Sequence, residues 1–294
     1  MTAISDPPGL LRDEELVVRG GVHHRAGEDE ISDYRRRWED EAEEDHVRSA
    51  IADGETARLD YETLTGKIAP VWDRIPRGRD LGTVLEIGAG YGRIPLYLAR
   101  ERGIEWSSYC ALDISETMLR RLVEYRERFT PGETPLYAIC ASADELPLED
   151  GSVDTVLTSV VFLHMGKSFV ARAVAEIARV LRPGGAIVFD ASFPNARNPS
   201  NLLLQAKPKR LRPPNYMKFW TRREVESLLE SSGLRAKTGP LEIVAGAHEV
   251  LPRRLGPVPV PLARLANRLA GRLPAALHGV TTLTYTVYSP GLTS

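Results

Sequence analysis

Cysteine is nearly absent: 294 residues hold two, Cys110 and Cys140. Two cannot build a disulfide framework or a multi-cysteine zinc site. Both sit in apolar, strand-like runs, where cysteine acts as a small buried hydrophobe. Charge of one sign is also lacking. Thirty-eight Lys and Arg against 40 Asp and Glu leave a net charge of −2. Dedicated nucleic-acid binders are strongly basic, so no nucleic-acid partner is expected. No uncharged apolar run approaches the roughly 20 residues of a membrane-spanning helix, and no membrane partner is expected. The opening MTAISDPPGLLRDEELVV carries acids and prolines rather than the apolar core of a signal peptide. The expected location is the cytoplasm. What remains is an ordinary globular balance, 43% hydrophobic and 27% charged. That length allows one large domain or two small ones and a sizeable core.

The charges that do occur are unevenly spread. From Glu28 to Asp45 there are ten acids and three arginines; residues 207–272 hold fourteen Lys or Arg against five acids. Both read as solvated faces, or as a basic stretch placed near an anionic ligand. Residues 1–30 read as loose. Residues 31–75 read as two or three helices, with Ile31, Tyr34, Trp38 and Ala42 on one stripe. Residues 75–80 read as a linker. The expected division is a helical extension over 1–80 and a main domain over 81–294.

From residue 81 strands and helices alternate. Strands are expected at 83–87, 107–112, 136–140, 153–158 and 186–190. Helices are expected at 92–102, at 115–129 with Ser115 as N-cap, and at 168–181. This rhythm belongs to an α/β doubly wound sheet, which binds ligands at the carboxyl ends of its strands. Residues 191–220 hold five prolines and read as an insertion over that edge. A capped helix at 221–232, strands near 241–244 and 281–288, and a helix at 260–273 complete the expectation.

The sharpest feature is Glu86-Ile-Gly88-Ala89-Gly90-Tyr-Gly92, between a strand and a helix. Glycines let the backbone turn tightly and approach a ligand, and the helix start favours a negative group. A dinucleotide fingerprint, G-x-G-x-x-G, would need glycine where Arg93 stands. The spacing is G-x-G-x-G, with an acid two residues ahead. That suits a cofactor with no pyrophosphate and a cationic methionine end, which Glu86 would support directly or through the loop. The next strand ends at Asp113, twenty-five residues after Gly88, where a carboxylate can hold both ribose hydroxyls. The alternative role for Asp113 is helix capping.

VLEIGAGYGR, ALDISETML, ASADELPLEDGSVDTVLTSVVFLHM and IARVLRPGGAIVF, in that order and spacing, resemble the class I S-adenosylmethionine-dependent methyltransferases. The similarity is greatest to the branch that modifies small molecules. It covers residues 81–190 well, 215–245 loosely and the first 75 hardly at all. The resemblance implies a mostly parallel, seven-stranded Rossmann-like sheet with an N-terminal helical lid, and S-adenosylmethionine as cofactor. It implies that Gly88, Ala89, Gly90 and Gly92 wrap the methionine end, Asp113 holds the ribose and Ile114 packs on the adenine. The family often shows D-A-x-x-L-P after the third strand. Here Ser142 replaces the acid, so the adenine amine would meet its hydroxyl or Asp144, while Ala143 offers its N–H. Ser159, ending the fourth strand, would lie below the reactive methyl.

Methyl transfer from a sulfonium is an in-line displacement that asks the protein chiefly to align and dry the reactants. A hydroxyl acceptor also needs a base, and His164 is the candidate. O-methylation of a small molecule is therefore the leading expectation, with N- or C-methylation, a nicotinamide oxidoreductase and a non-catalytic binding protein as alternatives. Tyr34 and Trp38 on the lid, with Arg197 and Tyr216 in the insertion, are the candidate acceptor contacts. The basic residues hint at an anionic acceptor. The acids from Glu39 to Asp45 could gather a cation, but a solvated helix face is the reading adopted, with no metal expected. A homodimer is allowed for.

Overall fold

In a computed structural model, residues 10, 16–19, 21–25, 72–124, 126, 134–208, 218–245 and 284–292 are described. The expected lid helices, the Glu39–Asp45 run, Tyr34, Trp38, Tyr216 and the 260–273 helix lie outside these residues.

The Rossmann-like frame follows from the strand runs. Thr83–Ile87 (β3), Ser108–Asp113 (β4), Leu136–Cys140 (β5), Val153–Ser159 (β6) and Leu181–Pro194 (β7) pair in parallel. Thr284–Tyr288 (β9) runs antiparallel to β7, and Glu242–Ala245 (β8) runs antiparallel to β9. Together these seven strands stand in the order β5-β4-β3-β6-β7-β9-β8. The first three central strands build outward from β3 on one side, and β6 then returns to its other side. A crevice therefore opens beyond the carboxyl ends of β3 and β6, where ligands of such sheets sit.

Near-continuous apolar strands bury both faces. Alternate residues feed two clusters: Leu85, Ile87, Cys110, Leu112 and Ile139 one, Val84, Tyr109, Ala111 and Ala138 the other. Arg93–Arg102 (α1), Glu116–Glu124 (α2) and Lys167–Val180 (α3) connect the strands. Ser115 accepts the Met118 N–H at 3.1 Å and caps α2 as expected. Burial holds the Cys110 thiol up at about 12, so it packs as an inert side chain.

Three expectations need correction. Residues 1–30 are not wholly loose: Leu16–Arg19 (β1) and Val22–Arg25 (β2) form an antiparallel hairpin, and β2 pairs in parallel with β5. The signal was the short apolar run LVVR and the Gly21 turn, at φ 82°. The hairpin extends the sheet to nine strands among the described residues. Residues 75–80 are not a free linker. Ile75 is fully buried beside Trp72, and Asp80 bridges to Glu105. The insertion begins as strand, since β7 runs through Pro194, and continues into Pro199–Ala206 (α4). Its Phe193 packs edge-on against Trp220 at 5.5 Å, an aromatic contact that outweighs the nearby proline punctuation. Arg222–Ser231 (α5) follows, closed at its start by a full capping box from Thr221 and Glu224, and then Leu234–Thr238 (α6).

Candidate active site

The glycine loop leaves β3 with Gly88, Gly90 and Gly92 at φ 70°, 54° and 91°. All three lie in the left-handed region that residues with a Cβ avoid. At Gly88 a Cβ would also overlap Val161 Cγ2, on the segment leaving β6; at Gly90 the same position faces open space. The loop is thus clamped from below and open above.

Two carboxyl groups flank it. Asp113 ends β4. Its Oδ2 accepts the Gly90 N–H at 2.8 Å and its Oδ1 the Ser115 N–H at 2.9 Å. Of the two sequence readings of Asp113, the contact at the start of the α2 turn is present, and the residue also ties the loop to the strand end, which the sequence did not suggest. The Gly90 amide, which in a dinucleotide site could face a pyrophosphate, is turned onto a carboxylate instead. Glu86 is 1% exposed and accepts the Tyr109 hydroxyl at 2.6 Å. Burial pushes its carboxyl up to about 8, against smaller lowering by Tyr109 and by Arg93. Arg93 itself lies over the Tyr91 ring at 5.5 Å.

On the β5 side, Ile114, Ala143 and Ala89 are buried. The Ser142 hydroxyl hydrogen-bonds Asp144, so the two candidates for the adenine amine form one pair. Arg172 donates to Asp144 Oδ2 from Nε at 3.0 Å and Nη2 at 2.7 Å. The same loop is stapled to α3 by Arg179, which reaches the carbonyls of Leu146 and Leu148 at 2.9 and 2.8 Å.

On the β6 side, Ser159 pairs with Asp190 of β7; β6 then ends, while β7 continues past an irregularity in its pairing with β9. Val160 and Ala191 take φ 64° and 45°, uncommon for alanine and a genuine outlier for a β-branched valine. The 3-10 turn Phe162–His164 follows, with His164 half-buried. Phe162 is anchored among Phe189 and Phe193 at 5.5 and 6.1 Å. Arg197 is exposed. Asp190, Thr286 and Val161 were missed in the sequence. The acid closing IVFD was the available signal for the first; nothing marked the other two.

These residues fit S-adenosylmethionine. The backbone at Gly90 faces open space, and the Asp113 carboxylate beside it suits a ribose better than a polyanion, while Glu86 lies buried beneath the loop. Among the described residues no group of three or more His, Cys, Asp or Glu side chains gathers to hold a metal. None of the described helices is long and apolar enough to cross a membrane.

Residues 85–189 match the family model described as a methyltransferase domain. The chain is 36% identical over 106 residues to a malonyl-[acyl-carrier protein] O-methyltransferase of Methylococcus capsulatus, covering 36% of each. It is 33% identical to a dimethylglycine N-methyltransferase of Parasynechococcus marenigrum, over 40% of this chain and 39% of the relative. It is 29% identical to phosphoethanolamine N-methyltransferase 1 of Triticum aestivum, over 56% of this chain and 31% of that one. The chain thus spans about a third of the length of these relatives. Its fold resembles that of a chain in the complex of the Haloferax volcanii Trm112 methyltransferase activator with a methyltransferase. That likeness has a TM-score of 0.50 at 20% identity, over 82% of this chain and 96% of that one. Motifs and strand order agree with that match: residues 85–189 match a methyltransferase domain, and the chain resembles the class I S-adenosylmethionine-dependent methyltransferases.

Proposed function

We propose that the protein methylates a small molecule at a heteroatom, with oxygen as the leading acceptor atom. The observation that carries this reading is the loop at Gly88–Gly92, whose Gly90 amide is tied to Asp113 beside the buried Glu86. Bound there, S-adenosylmethionine would supply an electrophilic methyl group on a cationic sulfur. Gly88, Ala89, Gly90 and Gly92 would hold the methionine end, Asp113 the ribose, and Ile114, Ala143 and the Ser142–Asp144 pair the adenine.

The chain's own task is to exclude water and align the acceptor. Phe162, Phe189, Phe193 and Trp220 give a rigid apolar base for the β6 exit segment. His164 on that segment is the proposed base for a hydroxyl acceptor, and Arg197 with Tyr34, Trp38 and Tyr216 the proposed acceptor contacts. Incubation with a methyl-labelled donor and fractionated metabolite extract tests the reading. Label in a small-molecule fraction supports it; label in protein or nucleic acid alone overturns it.

A further inference from the structure

We propose that α4 docks the protein on an anionic lipid surface, with Leu202 and Leu203 entering the headgroup layer. The contact goes beyond the methyl-transfer reading and does not depend on which molecule is methylated. The lack of a long apolar helix excludes a helical crossing of the bilayer, not a helix lying on its surface.

Helix α4, PSNLLLQA, is built inside out. Asn201 and Gln205 stand one turn apart, with Asn198 one turn ahead of them, so the three share a face. That polar face points inward. Asn198 and Asn201 are buried and Gln205 is half-buried. Asn201 Nδ2 donates to the Asn195 carbonyl at 2.8 Å, and Gln205 Nε2 to the Ala196 carbonyl at 3.0 Å. The apolar side chains point outward instead: Leu202 is 52% exposed and Leu203 73%. They are the exposed large hydrophobics among the described residues. A surface helix ordinarily turns its apolar stripe to the core and its polar residues to water. Here hydrogen bonds hold the polar face in, so the leucines cannot turn under without breaking them. An apolar patch kept in water in this way marks a contact surface.

The surrounding charge has one sign. Between Ala191 and Arg223 stand eight Lys or Arg and no Asp or Glu, in a chain whose net charge is −2. Among the described residues of that stretch, Arg197, Lys218 and Arg223 are exposed, while Arg222 pairs with Glu226. The fold draws its two ends together. The Ala196 N–H donates to the Trp220 carbonyl at 2.8 Å, and the Trp220 N–H to the Pro194 carbonyl at 2.7 Å. Cations thus sit beside the start of α4, and Lys207 follows directly on its end.

Leucines projecting among Lys and Arg match a surface that is apolar beneath and anionic above. Two leucines fall far short of the roughly 800 Å² that each partner gives to a standard protein interface. A second copy would bring the same cations to a two-fold contact, where like charges oppose each other. A bilayer needs no complementary shape and supplies the opposite charge. Its contact would fall at the end of the sheet where the glycine loop leaves β3, since β3, β6 and β7 run parallel and α4 follows the carboxyl end of β7.

The test is co-sedimentation of the full chain with vesicles of equal parts phosphatidylcholine and phosphatidylglycerol, against vesicles of phosphatidylcholine alone. Partition onto the anionic vesicles should be at least tenfold greater, and molar salt should weaken it. The double variant Leu202→Ser/Leu203→Ser keeps the charge and removes the apolar insert. It should lower partition onto anionic vesicles at least tenfold, with the thermal midpoint unmoved because both side chains already face water. Lys218→Gln/Arg223→Gln should lower it at least threefold. Should the serine double variant not fold, Leu203→Ser alone carries the test: a threefold loss supports the proposal and no loss overturns it. No sedimentation with anionic vesicles, equal sedimentation with both kinds, or undiminished binding by the serine double variant overturns it. An oligomer that forms without lipid and that the serine double variant dissociates, read by sedimentation velocity, assigns the leucines to a second copy and overturns it as well. Neither outcome bears on the methyltransferase reading, which binding of S-adenosylhomocysteine tests separately.

Discussion

Replacing Glu86 with glutamine should remove a pH dependence of stability that the buried carboxyl imposes. The side chain lies on the Val84 face of β3, shut in beneath the loop, with the Tyr109 hydroxyl donating to Oε2. Its carboxyl titrates at about 8 in the folded protein against an ordinary 4.5, with desolvation as the main cause. Between those values the folded chain keeps a proton that the unfolded chain has lost. Stability therefore falls as pH rises from 4.5 to 8, and levels off above. At about 1.36 kcal/mol per pH unit the loss over that window approaches about 5 kcal/mol. Glutamine is nearly isosteric, can still accept the Tyr109 hydrogen bond through its amide oxygen, and does not titrate. Urea unfolding of both proteins at half-unit steps from pH 4.5 to 9 isolates the effect in their difference, since other titrating groups cancel. The unaltered protein should lose ground to Glu86→Gln steadily up to pH 8. Parallel curves across the whole range would refute the reasoning, and would mean that Glu86 ionises normally despite its burial.

Other perturbations test the remaining parts. Gly88→Ala forces a Cβ into Val161 at a φ of 70°, so S-adenosylhomocysteine affinity should drop at least tenfold and thermal stability should fall by about 1–3 kcal/mol. With a hydroxyl acceptor, His164→Ala should lower kcat by about 10²–10⁴-fold, and adding imidazole as an external base should recover part of it; near-native turnover across pH 6–9 would remove His164 from the chemistry. Thr221→Ala breaks the capping box of α5 and should cost about 1 kcal/mol in chemical denaturation without moving cofactor affinity. Activity should survive excess chelator, and complete loss would bring the acids from Glu39 to Asp45 back as a metal site.

The sheet was readable because its strands are short, apolar and bounded by turn residues. TVLEI, LYAIC and VDTVLTS each form strands where the pattern places them, with ends moved by at most a residue. The hairpin at Leu16–Arg25 was not. Its strands have four residues each, and it gains its stability from β5, a neighbour more than a hundred residues away, which no local pattern reveals. The same limit governs the site. Gly88 and Gly90 sit in one strand–loop–helix unit and Asp113 ends the strand that follows, so their nearness could be expected from spacing. Asp190 and Thr286 meet only because β7 and β9 pair, across 96 residues. That Asp113 steadies the loop through the Gly90 amide also needed coordinates, since the sequence offered only ribose binding or helix capping for it.

Calorimetry with the full chain addresses the central claim most directly. S-adenosylmethionine and S-adenosylhomocysteine should each titrate to one site per chain, with NAD giving no heat at the same concentrations. Saturable binding of NAD, with neither sulfur compound bound, would contradict the account.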